Sequence, residues 1–369
     1  MKRIAKLIIL AINILAAILL TVSTLAGAVH PDKSIVPALL GYGYLYLLVA
    51  NVGFIVLWLF LGSRWFLLSL AVIAVRASFV PMYFQIGGTE EIDKSVAGDR
   101  ALLKVMSFNA HLFEGEERNH SMVDSNIMLF LKQIDVDSPD VVALQECVGR
   151  GKTVNLAEQM AQRGYSFNAA TNNSNMSGTA IYSKLPLCNT FVLKSPSTCV
   201  ADLPWNGDTV RIYSLHFDSY RLDDNDRETI NKLSHGTVDT SSSRSTLKKI
   251  SSTIRTHSKE WQNIDSLLDG SRHPCVLMGD FNDPPASYLY QQSTKKLTDS
   301  YCEVGQGFST TYHGAFTRRA NTVFPAFRID LILHSGELEA LSYKRIKTSI
   351  SDHYPVMATL STQKAACND

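Results

Sequence analysis

The chain has 369 residues, 46% of them hydrophobic, and a formal net charge of +1 from 35 basic and 34 acidic side chains. Near neutrality argues against a protein that grips polyanions by bulk charge, because non-specific nucleic-acid binding needs clustered Lys and Arg. The cysteines, Cys147, Cys188, Cys199, Cys275, Cys302 and Cys367, form no CxxC pair and have no Cys/His spacing suited to structural zinc.

Residues 1–86 are mostly apolar and almost uncharged, whereas nearly all carboxylates lie beyond Glu90. Met1 to Lys6 is basic and precedes an apolar run over 7–28, which has the start and length of a membrane span. It also fits a signal peptide, since Ala26-Gly27-Ala28 offers the small residues a signal peptidase accepts. Beyond the polar break at His30 to Ser34, a second apolar stretch covers 36–61 and a third covers 65–84. The third contains Arg76, and Arg inside a span costs about 2.5–3.5 kcal/mol on insertion scales. Lys2, Arg3 and Lys6 hold the N-terminus inside and Arg64 marks the next inside loop, so three crossings place the chain from 86 onward outside. Cleavage of the first segment leads to the same side, whereas a third stretch lying in the interface leaves the rest cytoplasmic. The expectation is a multi-pass membrane region over 1–86, a polar linker over 87–98, an extracytoplasmic catalytic domain over 99–362 and a tail over 363–369.

Beyond the linker, short apolar runs alternate with helical or loop segments, as in an α+β sheet protein. Strands are expected over 102–108, 141–145, 178–182, 210–216, 275–279, 329–333 and 356–360, and helices over 122–134, 156–163 and 243–268. The Ser/Thr-rich stretch 237–246 reads as a flexible loop. Cys188 and Cys199 are near enough in sequence to pair in an oxidising compartment, and Cys275 reads as a small buried hydrophobe.

Several strands end in residues that an apolar core would reject: Asn109, Glu146, His216 and Asp280. Polar groups at strand ends collect at one sheet edge, where they can converge on a ligand. His111, His120, His235, His257, His273, His313 and His334 lack such a context and are expected on the surface or in loops. Arg221 and Arg318-Arg319 read as solvated charges.

Six ordered motifs include these strand-end residues: Ser107-Phe108-Asn109, Gln145-Glu146, Leu215-His216, Gly279-Asp280-Phe281-Asn282, Arg328-Ile329-Asp330 and Ser351-Asp352-His353-Tyr354-Pro355-Val356. Their order and spacing resemble the endonuclease/exonuclease/phosphatase superfamily, which includes pancreatic-type deoxyribonucleases, apurinic endonucleases, neutral sphingomyelinases and inositol-polyphosphate 5-phosphatases. The resemblance covers about 104–360. It implies a four-layer α/β/β/α sandwich, here preceded by transmembrane helices, and hydrolysis of a phosphoester by water. One departure weakens a nuclease reading: Cys147-Val148-Gly149 follows Glu146, so the basic residue that deoxyribonucleases place there is absent, and Arg150 lies slightly further on.

Hydrolysis of an anionic ester requires neutralising the phosphate, positioning water and stabilising the leaving oxygen. Oxygen donors suit Mg²⁺, with Mn²⁺ as an alternative. The resemblance makes Glu146 a metal ligand, joined by Asn109 and Asp352. Two bases are open: Asp280, or His353 oriented by Asp330. Asp280 is assigned as the base, with Asp330–His353 a dyad whose imidazolium binds phosphate, while Asn282 and His216 donate to non-bridging oxygens. Tyr354 and Pro355 shape the turn that presents His353. The expected substrate is a phosphoester of a lipid head group or small metabolite, with nucleic acid as an alternative.

Overall fold

A computed structural model describes residues 2–92, 98–115, 118–147, 151–171, 178–234, 236–237, 239–314 and 327–363. Residues 93–97 of the linker, Arg150, His235, Arg318, Arg319 and 364–369 of the tail lie outside them.

The N-terminal part folds as four helices: α1 (Lys2–Ser23), α2 (Val36–Tyr42), α3 (Tyr44–Phe60) and α4 (Phe66–Val75). Among the described residues, only α1 is by itself long and apolar enough to cross a membrane. The expected second span is a bent pair, because α2 and α3 meet at Gly43 with a 72° change of direction. The expected third span is not one helix. It is the 10-residue α4, capped by Arg76, followed by a 3₁₀ turn at Ala77–Met82. The bundle has its polar groups inside: Asn13 donates to Ser69 Oγ at 2.7 Å, Ser69 donates to Asn51 Oδ1 at 2.9 Å, and the Trp58 indole donates to Asn13 Oδ1 at 2.9 Å. All four are fully buried, whereas Ile4, Leu7, Ile8, Leu15, Val56 and Leu67 stand exposed on the outside.

A two-residue strand β1 (Phe84–Gln85) leads into β2 (Leu103–Asn109). There follow α5 (Val123–Asp137), β3 (Val141–Cys147), α6 (Leu156–Gln162), β4 (Phe167–Ala170), β5 (Gly178–Ser183), β6 (Cys188–Lys194), β7 (Ser197–Trp205) and β8 (Asp208–His216). Next come α7 (Asp224–Ser234), α8 (Thr240–Asp269), β9 (Cys275–Asp280), α9 (Tyr288–Ser293), β10 (Thr298–Asp299), α10 (Ser300–Val304) and β11 (Gly307–Phe308). The last strands are β12 (Asp330–His334), β13 (Leu338–Arg345) and β14 (Val356–Thr362). The segment expected to be a loop over 237–246 is largely helix: Asp239 accepts from the Ser241 amide and starts α8 at Thr240.

One six-stranded sheet runs β13-β14-β2-β3-β5-β4 and the other β10-β12-β9-β8-β7-β6. Alternation decides what each face covers. Leu103, Val105, Val141 and Ala143 of the first sheet meet Ala201, Ile212, Val276 and Met278 of the second in a dry inter-sheet core. Met106, Phe108, Val142 and Leu144 face outward onto Ile127, Phe130 and Leu131 of α5 and Leu156 of α6. Tyr213, Leu215 and Leu277 face Trp261 and Ile264 of α8 and Leu289 of α9. Helices therefore cover both outer faces, giving a mixed α/β sandwich with two packed sheets. Cys188 and Cys199 are both free: Cys199 is buried opposite Val192 and Cys188 is exposed opposite Asp202, so their register keeps them apart.

The helical bundle rests on the sandwich. Gly27 O accepts from Gln292, Tyr83 Oη accepts from the Ala286 amide, and buried Arg328 donates to Met82 O while pairing with Asp299 at 2.7 Å. A Cβ on Gly41 would stand 2.6 Å from Ala286 O, so this point of α2 admits only glycine without displacement.

Candidate active site

Period-2 alternation carries inward-facing polar side chains to the end of each central strand. On β2, Leu103, Val105, Ser107 and Asn109 share the inner face; on β8 Ile212, Ser214 and His216 do; on β9 Val276, Met278 and Asp280 do. β2 runs parallel to β3 and β8 parallel to β9, so these C-terminal ends fall at one edge. β12 is antiparallel to β9 with Asp330 opposite Asp280, and His216 also pairs with Asp280. Glu146 has the parity of the outward residues Val142 and Leu144. A register shift after Leu144 and a φ of 44° at Glu146 re-aim it toward the cleft. Beneath the site, Gln145 bridges the sheets by donating to Ser214 Oγ at 3.2 Å.

Asp280 is the hub. Its Oδ2 accepts from Asn109 Nδ2 at 2.9 Å and lies 3.6 Å from His216 Nε2 and 3.9 Å from His353 Nε2, while Oδ1 accepts from the Asn282 amide at 2.7 Å. Burial pushes the Asp280 carboxyl up to about 6, against the pull of His353 and His216. His353 presents Nδ1 to both oxygens of Asp330, at 2.9 and 3.1 Å. Burial disfavours the imidazolium, but Asp330 and Asp280 outweigh it and hold His353 well above its ordinary value. Glu146 Oε1 is 3.4 Å from both His216 Nε2 and Asn109 Nδ2. Asp352 Oδ1 lies 3.9 Å from His353 Nε2. Asn282, at φ 53°, lines the cleft with its side-chain NH₂ engaged on Phe217 O at 3.0 Å.

The eight residues expected to form the site therefore share one strand-end edge. Two histidines expected on the surface or in loops are instead buried beside it. His111 stands 3.3 Å from Asp352 Oδ1 through Nδ1 and accepts from Arg118 Nε at 3.0 Å. His257 pairs with Asp283 at 2.8 Å and meets Asp218 O through its other nitrogen at 2.6 Å. Tyr42 and Tyr220 both donate to the same Asp283 oxygen. Their sequence signals were proximity alone: His111 lies two residues past Asn109, and Asp283 directly follows Asn282. His334 also departs from the expectation, since it is fully buried on β12 against Glu303, whereas His313 lies in a loop as expected and stacks on Tyr354 at 3.9 Å.

The donor set fits a hard divalent cation. Among the described residues, Asp352 Oδ1 and His216 Nε2 are buried with ion-pair neighbours, His111 at 3.3 Å and Glu146 at 3.4 Å, but without a hydrogen bond of proper geometry, and Glu146 and Asp352 face the same cavity. A buried carboxylate oxygen without a hydrogen bond is costly, and a cation beside Asp352 Oδ1 removes that cost. Asp280, Asp330 and His353 also bring one donor atom each within 4.8 Å of one another, but His353 Nδ1 already lies within hydrogen-bond distance of both Asp330 oxygens.

The profile of the Endonuclease/Exonuclease/phosphatase family matches residues 106–353, and that of a domain of unknown function (DUF8431) matches residues 5–83. A search of curated proteins returns no match. Among solved structures, an endonuclease/exonuclease/phosphatase from Beutenbergia cavernae is 20% identical with a TM-score of 0.51, covering 72% of this chain and 73% of its own. An endonuclease/exonuclease/phosphatase from Bacteroides vulgatus is 16% identical with a TM-score of 0.51, covering 72% of this chain and 100% of its own. D. rerio TDP2 complexed with single strand DNA product is 13% identical with a TM-score of 0.50, covering 71% and 100%. With two thirds of its length matched by the family profile and the same sandwich in its structural neighbours, this chain belongs to the endonuclease/exonuclease/phosphatase family, whose members hydrolyse phosphoester bonds.

Proposed function

We propose that this protein is a membrane-anchored, divalent-metal-dependent phosphoester hydrolase, with a membrane region over 1–86 and a catalytic domain over 99–362. The observation that carries the reading is the convergence of Asn109, His216 and His353 on buried Asp280 at the strand-end edge. Asp280 accepts a proton from water as the water oxygen attacks phosphorus and the bond to the leaving oxygen breaks. A carboxyl raised by burial to about 6 is a better base than an ordinary Asp and remains ionised at neutral pH. Asp330 orients His353 and keeps it protonated, so Nε2 offers a charged donor to a phosphate oxygen. His216 adds a second donor, and Asn282 adds a third after its side chain leaves Phe217 O. Glu146, Asp352 and Asn109 would hold Mg²⁺ or Mn²⁺, which supplies Lewis-acid neutralisation of the phosphate and the leaving group.

The membrane assignment is supported by the bundle's inverted polarity, with an Asn13–Ser69–Asn51 network inside and aliphatic side chains outside. A lipid head group or small phosphorylated metabolite is favoured over nucleic acid, because the chain has a charge of only +1 and lacks a basic residue at Cys147. The test is hydrolysis by the full chain in detergent of phospholipids, phosphorylated metabolites and single-stranded DNA, with Mg²⁺ or Mn²⁺. Asp280→Asn and His353→Ala serve as controls. Cleavage by wild type that both variants lose supports the reading. A wild type that cleaves none of them overturns it, and activity confined to DNA makes the protein a nuclease.

A further inference from the structure

The cleft above Asp280 has a volume of about 670 Å³, more than a phosphate group needs. Its lining includes a polar set around the strand-end edge: Glu146, Asp280, Asp352, His353, His111 and Arg118. The lining also includes half-buried apolar side chains, Leu39 on α2, Leu222, Ile230 on α7, Ile250 on α8 and Phe327, with Arg221 and Arg227 beside them in sequence. A small polyanion would use the arginines and leave these apolar side chains facing water, whereas an occupant with a hydrocarbon part covers them. Leu39 is also contributed by the N-terminal bundle rather than by the sandwich. Its helix is fixed over the cleft at two points: Gly41 closes on Ala286 O, and Tyr42 donates to Asp283, the residue after Asn282. α2 starts at Val36, which is exposed, and continues through Gly43 into the apolar bundle. The helix that brings Leu39 to the cleft thus belongs to the apolar N-terminal segment, and an occupant can have its phosphate at Asp280 and its hydrocarbon beside α2.

We infer that α2 is a specificity wall of the active site, and that the substrate is an amphiphilic phosphoester whose hydrocarbon chain lies against Leu39, Ile230 and Phe327 while its phosphate sits at Asp280. This rests on the hydrolase reading and names the substrate class for it. Acyl and isoprenoid chains share the chemistry that this wall recognises.

The experiment uses the full chain in detergent with Mg²⁺. It compares kcat/KM for three phosphodiesters that share one head group: one without a chain, one with a short acyl chain and one with a short isoprenoid chain. All are kept below their critical micelle concentrations, so that surface concentration cannot imitate selectivity. Wild type is expected to prefer at least one chain-bearing ester by tenfold or more, and the better chain identifies the source. Leu39→Gln on α2 and Ile230→Gln on α7 should each lower that preference ratio about tenfold, mostly through KM. Two variants on separate elements keep the test intact if one fails to fold. Wild-type cleavage without chain preference, or variants that lower all three substrates in equal proportion, overturns the inference and leaves the hydrolase reading standing. Preference for an oligonucleotide over every chain-bearing ester also overturns it. No cleavage of any phosphoester overturns both.

Discussion

At the scale of single residues, the site is an arrangement of competing charges around Asp280. Its cations stand off: His216 and His353 approach Asp280 only at 3.6 and 3.9 Å, like-charged Asp330 lies opposite it, and its closest neighbours are the neutral Asn109 side chain and the Asn282 amide. Burial therefore raises its carboxyl, the condition for a base that works near neutrality. Asp280→Asn keeps the volume and the acceptor oxygen but removes the proton acceptor, so kcat should fall about 10³-fold with KM changed little. A variant retaining more than about a tenth of wild-type kcat would move the base to His353. Asp330→Asn should act differently, because Asn can still orient the imidazole but no longer favours its charge. Its expected signature is a rise in KM for phosphoesters together with an imidazole ¹⁵N spectrum of neutral His353 at pH 7. A charged imidazole in that variant would show that Asp280 and Asp352 suffice without Asp330. The strand-end residues were legible because each interrupts an apolar run. His111 was not, since its burial depends on Asp352, which is remote in sequence.

At the scale of elements, legibility followed contrast. The buried central strands β2, β3 and β9 stand out as apolar runs, whereas β6 is exposed along most of its length and α7 is acidic. A local signal for β7 was nonetheless present: Asn206-Gly207, with φ of 54° and 81°, forms the tight turn that joins Trp205 to Asp208. α8 illustrates the converse, because its Ser-rich start reads as a loop until Asp239 is recognised as a cap. The middle of α8 also holds His257, whose burial opposes charge but whose neighbours Asp283 and Glu260 win and raise it to about 9. Glu260 itself is raised by its burial. A histidine raised from 6.5 stabilises the fold fully below pH 6.5 and loses that contribution as pH rises through about 9. Thermal melts of the full chain in detergent should show this loss, on the order of 3 kcal/mol by linkage. His257→Gln should be less stable at pH 6 and flatter between pH 6.5 and 9. A wild-type profile that is already flat would mean that His257 is neutral in the folded protein.

At the scale of the whole molecule, the bundle and the sandwich define one direction. α1 and α3 run antiparallel, since Asn13 meets Trp58 and Ala16 O accepts from Asn51. The C-terminal end of α1 adjoins the sandwich through Gly27 and Gln292, and the first turn of α3 packs Tyr44 against Tyr83. The remote end of the bundle therefore carries Arg3 and Lys6 from α1 and Arg64 from the turn after α3. Cytoplasmic ends of membrane bundles accumulate such charge, and a buried network of Asn13, Asn51 and Ser69 under an aliphatic exterior is stable where the surroundings are hydrocarbon rather than water. On the proposed membrane-anchored reading, this charge would put the sandwich on the opposite, extracytoplasmic side. Cys188 provides the measurement, because it is free and exposed on β6 while Cys147, Cys199 and Cys275 are buried. In a Cys367→Ser background, a membrane-impermeant maleimide should label intact cells or spheroplasts, and Cys188→Ser should abolish most of that labelling. Labelling that requires lysis would place the sandwich in the cytoplasm, and recovery of the unlabelled chain in the soluble fraction would remove the membrane itself from the account.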